Sequence, residues 1–134
     1  MPETTATSPM RKTARPVWFN LSPANLPVPG LVSIFHRISG LGLFLGLFCL
    51  LYLLDMSLAS ADSYAQFKAI VGNPLVKLLL LGFAWAFLHH FCAGIRFLLL
   101  DIHVGAALEP ARKSATGVFV VSLLLTVLVG VRLW

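Results

Sequence analysis

Residues 38–54, ISGLGLFLGLFCLLYLL, carry no formal charge and lie between Arg37 and Asp55. Two further stretches repeat the arrangement. Residues 78–95, LLLLGFAWAFLHHFCAGI, lie between Lys77 and Arg96, and residues 114–131, SATGVFVVSLLLTVLVGV, between Lys113 and Arg132. At about 1.5 Å of helical rise per residue, each run covers most of a hydrocarbon core roughly 30 Å thick, and the flanking charges reach the headgroups. The reading is an all-α membrane protein: three transmembrane helices in antiparallel up-down-up order, at about residues 31–58, 74–101 and 113–133.

Composition agrees. Of 134 residues 58% are hydrophobic and 11% charged, too little polar surface for a chain of this length in water, so lipid must cover its exterior. The net charge of +5 does not imply nucleic acid, because the basic residues sit at helix ends and in the N-terminal arm rather than along one continuous face. Cys49 and Cys92 fall inside predicted helices, where a buried apolar thiol is the default over a disulfide or a metal ligand.

Residues 1–14 are rich in Thr, Ser and Ala, carry Arg11 and Lys12, and lack the long apolar core of a secretory signal. Pro16, Pro23, Pro27 and Pro29 then disfavour helix up to Gly30. Residues 1–30 therefore read as an extended arm, and residues 31–134 as the transmembrane unit. The connection Ala59 to Pro74 carries Asp62 and Lys68, whereas Asp101 to Lys113 carries Arg112 and Lys113 beside Asp101 and Glu109. By the positive-inside rule, the arm and the second connection face the cytoplasm, and the first connection and Trp134 face the opposite compartment. With no organellar presequence evident, the expected location is a bacterial cytoplasmic membrane.

The antiparallel order brings the start of the first span and the end of the second to the same membrane face. Ser33, His36, Arg37 and Gly40 share one stripe of the first helix, and His90, Gly94, Phe97 and Asp101 a comparable stripe of the second. Ionisable groups at that depth need protein, water or a cofactor to face, so a functional site is expected there. Each residue also has a plainer reading: Arg37 as an anchor in the headgroups, Ser33 bonded to a carbonyl of the preceding turn, His36 as an interfacial histidine. His90 lies about 9 Å deeper than Arg96, where its ring nitrogens need partners. Haem iron is one such partner, taking one nitrogen and leaving the other to a hydrogen bond, with Gly94 one turn away to admit a flat macrocycle. Spacing alone leaves that assignment open.

His89 and His103 are the competing imidazoles. Their separation is that of a two-haem ladder along one helix, but His103 follows Asp101 near the membrane surface and no other helix carries a matching pair. His89 points about 100° away from His90 and shares a face with Arg96, as suits a headgroup or interhelix contact. Zinc is disfavoured, since no Cys or carboxylate lies at ligand spacing from His89 and His90.

The segment Ser33-Ile34-Phe35-His36-Arg37-Ile38-Ser39-Gly40, followed by His90-Phe91-Cys92-Ala93-Gly94-Ile95-Arg96 and Asp101, resembles the cytochrome b membrane-anchor subunits of succinate dehydrogenase. Arg15-Pro16 ahead of the first span also fits, and the likeness covers about Arg15 to Trp134. It implies a place in respiratory complex II. There a flavoprotein oxidises succinate, an iron–sulfur subunit relays the electrons, and two small membrane subunits bind haem b and a quinone such as ubiquinone. Carried over by position, His90 matches the axial haem ligand, with the second ligand from the other anchor subunit. Ser33 and Arg37 match the lining of the quinone site, and His36 and Arg37 match positions near the haem propionates. Asp101 matches a family acid after the second span. Phe97 departs from the pattern: relatives often have histidine there, so a propionate contact from that position is lost.

The implied chemistry is sound. Quinone reduction places negative charge on carbonyl oxygens, which a hydroxyl and a guanidinium one helical turn apart can polarise. Arg11, Lys12, Arg15, Arg112 and Lys113 suit either docking of a soluble subunit or contact with anionic lipid. Gly42 and Gly46, and Ser122, Thr126 and Gly130 at four-residue spacing, are expected helix-packing positions. A fumarate reductase anchor, a small transporter or assembly protein, and a cofactor-free structural subunit are the alternatives. Discontinuous helices or internal repeats, the marks of a transporter, are not evident.

Overall fold

The structure is a computed structural model describing residues 26–133. The arm over residues 1–25, with Arg11, Lys12, Arg15, Pro16 and Pro23, lies outside the described residues, as does Trp134. Among the described residues the helices are α1 Val28–Ala59, α2 Ala61–Gly72, α3 Pro74–Asp101 and α4 Leu108–Leu133. Helices α1, α3 and α4 contain 32, 28 and 26 residues, and their most apolar windows have mean hydropathies of 2.1, 1.8 and 2.3. Each is long and apolar enough to cross a bilayer, so the chain is an all-helical, multi-pass membrane protein with three spans.

Two helix starts differ from the sequence reading. Helix α1 begins at Val28 rather than near Leu31, with Pro27 as an extended N-cap (φ −65°, ψ 147°) and Pro29 in the first turn. Proline blocks a helix interior but fits the first turn, where the missing N–H has no acceptor to lose. Helix α4 likewise begins at Leu108 rather than near residue 113, with Pro110 in its opening turn, so Arg112 and Lys113 belong to the helix and not to the connection. Lys113 Nζ lies 3.7 Å from Glu109 Oε2, an exposed pair one turn apart.

Helix α2 occupies what reads from sequence as a connection. Its start is a reciprocal cap: Ser63 N–H donates to Ser60 Oγ (3.1 Å), and Ser60 N–H donates to Ser63 Oγ (2.9 Å). Asp62 adds a carboxylate to the first turn, and Asn73 then caps α3 by accepting from Leu75 N–H at 2.9 Å. No residue of α2 is buried, and Tyr64 stacks on Phe67 with Lys68 Nζ 5.5 Å from the Tyr64 ring.

The contacts define the bundle. Gly46 of α1 meets Phe83 of α3, while His36 meets His90 and Phe97 further along α3, so α1 and α3 run antiparallel. Arg96 reaches Ser114, His89 reaches Phe119, and Gly130 faces Leu81, so α3 and α4 are antiparallel as well. Phe35 touches Phe119, which closes the third side. The apolar core is a small cluster of Val32, Ala93, Ala115 and Val118, against which Cys92, Phe97 and Phe119 pack. It lies at the end where α1 and α4 begin and α3 ends. Outside it, large apolar side chains face outward along every span, Phe48, Leu79 and Leu128 among them, as expected where lipid or another membrane subunit supplies the cover.

The expected packing positions divide. Ser122 and Thr126 are buried in α4, and Gly130 sits against the Leu81 side chain. A Cβ at Gly46 would run into the Phe83 ring, so α1 and α3 approach closely there because position 46 lacks one. Gly42 has no such role, since a Cβ there would meet nothing within 4 Å. Both thiols are free, but Cys49 is exposed on the outside of the bundle rather than buried, and Cys92 is half-buried.

Candidate functional site

The α1–α3 seam carries the densest group of polar side chains. The rings of His36 and His90 stack with centroids 4.1 Å apart and planes 7° from parallel. His90 Nδ1 lies 3.0 Å from the His36 backbone oxygen and 3.3 Å from Ser39 Oγ. A carbonyl oxygen only accepts, so Nδ1 carries the proton and Nε2 keeps its lone pair. The Ser39 hydroxyl itself donates to the same His36 oxygen at 3.0 Å. Nδ1 is thereby satisfied within the chain, and among the described residues Nε2 makes no hydrogen bond.

Gly40 makes this arrangement possible. A Cβ at Gly40 would fall 2.8 Å from His90 Cε1 and 3.3 Å from Nδ1, so the imidazole lies in the space a side chain would fill. A Cβ at Gly94 would fall 3.7 Å from His36 Nε2. Gly94 thus borders the His36 ring at ordinary van der Waals distance. Phe97 closes the far side of that ring, edge to face at 5.2 Å. Phe97 thus adds an apolar edge-to-face contact beside the His90–His36 stack.

Ser33 and Arg37 stand on the same side of α1 as His36 and Gly40. Ser33 is half-buried and Arg37 exposed, and neither makes a hydrogen bond or ion pair with the described residues. Ser33 contrasts with Ser39, Ser57 and Ser122, whose hydroxyls each bond a carbonyl one turn back. Its hydroxyl and the Arg37 guanidinium are thus without partners among the described residues. Asp101 ends α3 and is exposed. His103 follows in a turn with φ 64°, also exposed, and hydrogen-bonds the Asp101 carbonyl through Nδ1 at 3.2 Å.

The other side of α3 holds what sequence reasoning ranked lower. His89 is 0% exposed. It lies among Phe35, Trp85 and Phe119 at centroid distances of 6.0, 5.4 and 5.0 Å, an interhelix contact and not a headgroup one. Neither of its ring nitrogens makes a hydrogen bond of full geometry, although the Val32 backbone lies near enough to interact with the ring. Arg96 is also inside, 6% exposed, donating through Nε to Ser114 Oγ at 3.0 Å and through Nη2 to the Ala111 carbonyl at 3.1 Å. It clamps α3 to the start of α4 instead of reaching for headgroups.

Between α1 and α3, on the far side of Ser39 from the cytosol-proximal end expected above, runs an apolar groove of about 860 Å³. Gly42, Gly82 and Ala86 contribute its small-residue lining. Among the described residues, no cluster of three or more His, Cys, Asp or Glu side chains would hold a metal ion unaided.

These features define a multi-pass membrane subunit that presents one oriented imidazole and two uncommitted donors near one end of its bundle. The sequence profile described as the succinate dehydrogenase/fumarate reductase transmembrane subunit matches residues 11–129. Three similar proteins are each named succinate dehydrogenase cytochrome b556 subunit. That of Coxiella burnetii is 40% identical over 121 residues, covering 90% of this chain and 97% of its own. Those of Paracoccus denitrificans and Rickettsia felis are each 32% identical, covering 85% and 87% of this chain and 88% and 91% of their own. The chain belongs to this family, as a membrane subunit of succinate dehydrogenase of the cytochrome b556 type.

Proposed function

We propose that this chain supplies one axial ligand, His90, to a haem b shared with a second small membrane subunit, and that Ser33 and Arg37 form part of the site where a quinone is reduced. The observation carrying the proposal is the His90 ring. Its Nδ1–H is spent on the His36 carbonyl, which leaves Nε2 as the ligating lone pair. Metal-bound histidines commonly have their other nitrogen held in this way. One neutral imidazole from this chain would fit a haem that takes its other ligand from a second subunit, and the name cytochrome b556 borne by the relatives implies haem b in those proteins. When bound, the haem would supply a one-electron redox centre.

This chain's own residues do the rest. The His36 carbonyl fixes the His90 tautomer. Arg37, exposed and without a partner among the described residues, offers positive charge for propionates or quinone, and the His36 ring lies beside it. Ser33 and Arg37, one turn apart, donate hydrogen bonds to a quinone carbonyl as its oxygens gain charge. Ubiquinone or another quinone is the acceptor. An iron–sulfur subunit docks on this end of the bundle and passes electrons from a flavoprotein subunit that oxidises succinate. Arg112 and Lys113 in the first turns of α4 add positive charge to that end, which supports a cytoplasmic orientation for it and for the N-terminal arm in a bacterial inner membrane. In this division of the chain, residues 31–134 carry the cofactor and quinone sites, and residues 1–30 form the cytoplasmic arm.

Purification of the assembled complex tests the reading. Wild type is expected to show a b-type spectrum that His90→Ala removes. Ser33→Ala and Arg37→Ala should each lower quinone reduction roughly 100-fold, the effect of losing one donor to a developing oxyanion, while succinate oxidation by an artificial acceptor continues. Parallel loss of both activities would refute the quinone assignment.

A further inference from the structure

We infer that Ser39 and Gly40 are the positioning residues for His90, setting the tautomer and tilt with which its Nε2 meets iron. The inference rests on the proposed ligation by His90 and goes beyond it. Two mutually bonded groups converge on one ring edge. The His36 carbonyl accepts from Nδ1 at 3.0 Å, Ser39 Oγ lies 3.3 Å from the same nitrogen, and the Ser39 hydroxyl bonds that carbonyl at 3.0 Å. Ser39 is 7% exposed, so its oxygen is shielded from competing partners at the seam.

Gly40 acts by shape. With a Cβ there 2.8 Å from His90 Cε1, the ring cannot stay where it is, and the obstacle is backbone-bound and cannot swing aside. Moving the ring breaks its bond to the His36 carbonyl and its stack on the His36 ring together. Acceptors on the Nδ1 proton make an imidazole a stronger donor to ferric iron, and losing such a partner commonly costs a metal site 10- to 100-fold. The hydroxyl and the missing Cβ, at adjacent positions of α1, thus act on the iron through His90 without touching it.

The experiment uses the full complex, with haem content, the visible spectrum, the ferric-haem paramagnetic resonance and the midpoint potential as readouts. Gly40→Ala is expected to lower haem content at least tenfold, or to leave a haem with altered axial anisotropy. Ser39→Ala is expected to retain haem with a raised midpoint potential, a tenfold loss of ferric preference being about 59 mV for one electron. Ser122→Ala is the control. That serine is 0% exposed and bonds the Phe119 carbonyl at 3.1 Å, so it matches Ser39 in burial and back-bonding but lies away from His90. It should leave the potential unchanged.

Wild-type haem content, spectrum and potential in both Gly40→Ala and Ser39→Ala would overturn the inference, as would an equal shift in Ser122→Ala. If His90→Ala keeps the b-type spectrum, the ligand assignment itself falls. Loss of the spectrum in His90→Ala with unchanged Ser39 and Gly40 variants removes the positioning role alone.

Discussion

His89 and His90 are neighbours in sequence, yet about 100° of helical rotation sends one to the centre of the bundle and the other to the α1–α3 seam. On the α1 side, His90 is half-buried, stacked on His36 and hydrogen-bonded at one nitrogen only. At the junction of the three spans, His89 is sealed among Phe35 of α1, Trp85 of α3 and Phe119 of α4, and Arg96 two turns later ties α3 to α4. Exposure and hydrogen bonding separate the two seams. An imidazole with one nitrogen fixed by a carbonyl and the other without a hydrogen bond suits the ligand role proposed above, whereas one enclosed by rings suits packing.

The largest effect that sharpens this contrast is at position 90. His90→Phe keeps a flat ring at the seam and removes the lone pair, and the b-type absorbance of the purified complex should disappear completely. Next is the α4 seam, where Arg96→Ala removes two charge-assisted hydrogen bonds. Such bonds contribute about 1.5–3 kcal/mol each in water-soluble proteins and less within membranes, so a loss of about 2–3 kcal/mol is expected. It should register as a lower unfolding temperature of the complex, with the haem spectrum intact before unfolding. Were Arg96→Ala to change the spectrum of the folded complex instead, the two seams would not be separable.

The glycines of α1 give a smaller test. Gly46→Ala drives a methyl into the Phe83 ring and should cost about 1–3 kcal/mol, the usual range for overpacking, read as reduced thermal stability. Gly42→Ala meets open space and should be neutral or stabilising by up to about 1 kcal/mol, because alanine favours helix over glycine. Equal effects at the two positions would mean that α1 does not approach α3 at Gly46 as described.

The spans were legible because a bilayer imposes one rule on sequence: uncharged runs of helical length between charges. What sequence obscured follows from rules the bilayer does not set. Pro29 reads as a helix breaker, yet in a first turn it is compatible with helix, so α1 starts earlier than expected, and Pro110 sits in the first turn of an α4 that also starts earlier. Helix α2 is too short to span, and its signal was the small Ser60-x-x-Ser63 cap, which uses a serine where glutamate or glutamine is usual. At the site, the i, i+3, i+4 spacing placed His36, Arg37 and Gly40 on one face, and family resemblance singled out His90. Ser39 was missed because its role depends on a carbonyl shared with a residue of another helix. Arg96 resembled a membrane-edge charge because its acceptors, Ser114 and Ala111, come from α4.

His89→Phe has the smallest expected effect and separates the seams most sharply. The pocket is lined by aromatic rings, and the imidazole within it makes no hydrogen bond of full geometry that phenylalanine would lose. Replacing a poorly satisfied polar ring by an apolar one removes a desolvation cost of about 1–3 kcal/mol, offset in part by the larger ring that must fit. The net change in unfolding temperature should be close to zero or slightly positive, with haem content and quinone reduction unchanged. Loss of haem in His89→Phe would show that the two histidines work together, and the division between a ligand seam and a packing seam would fail.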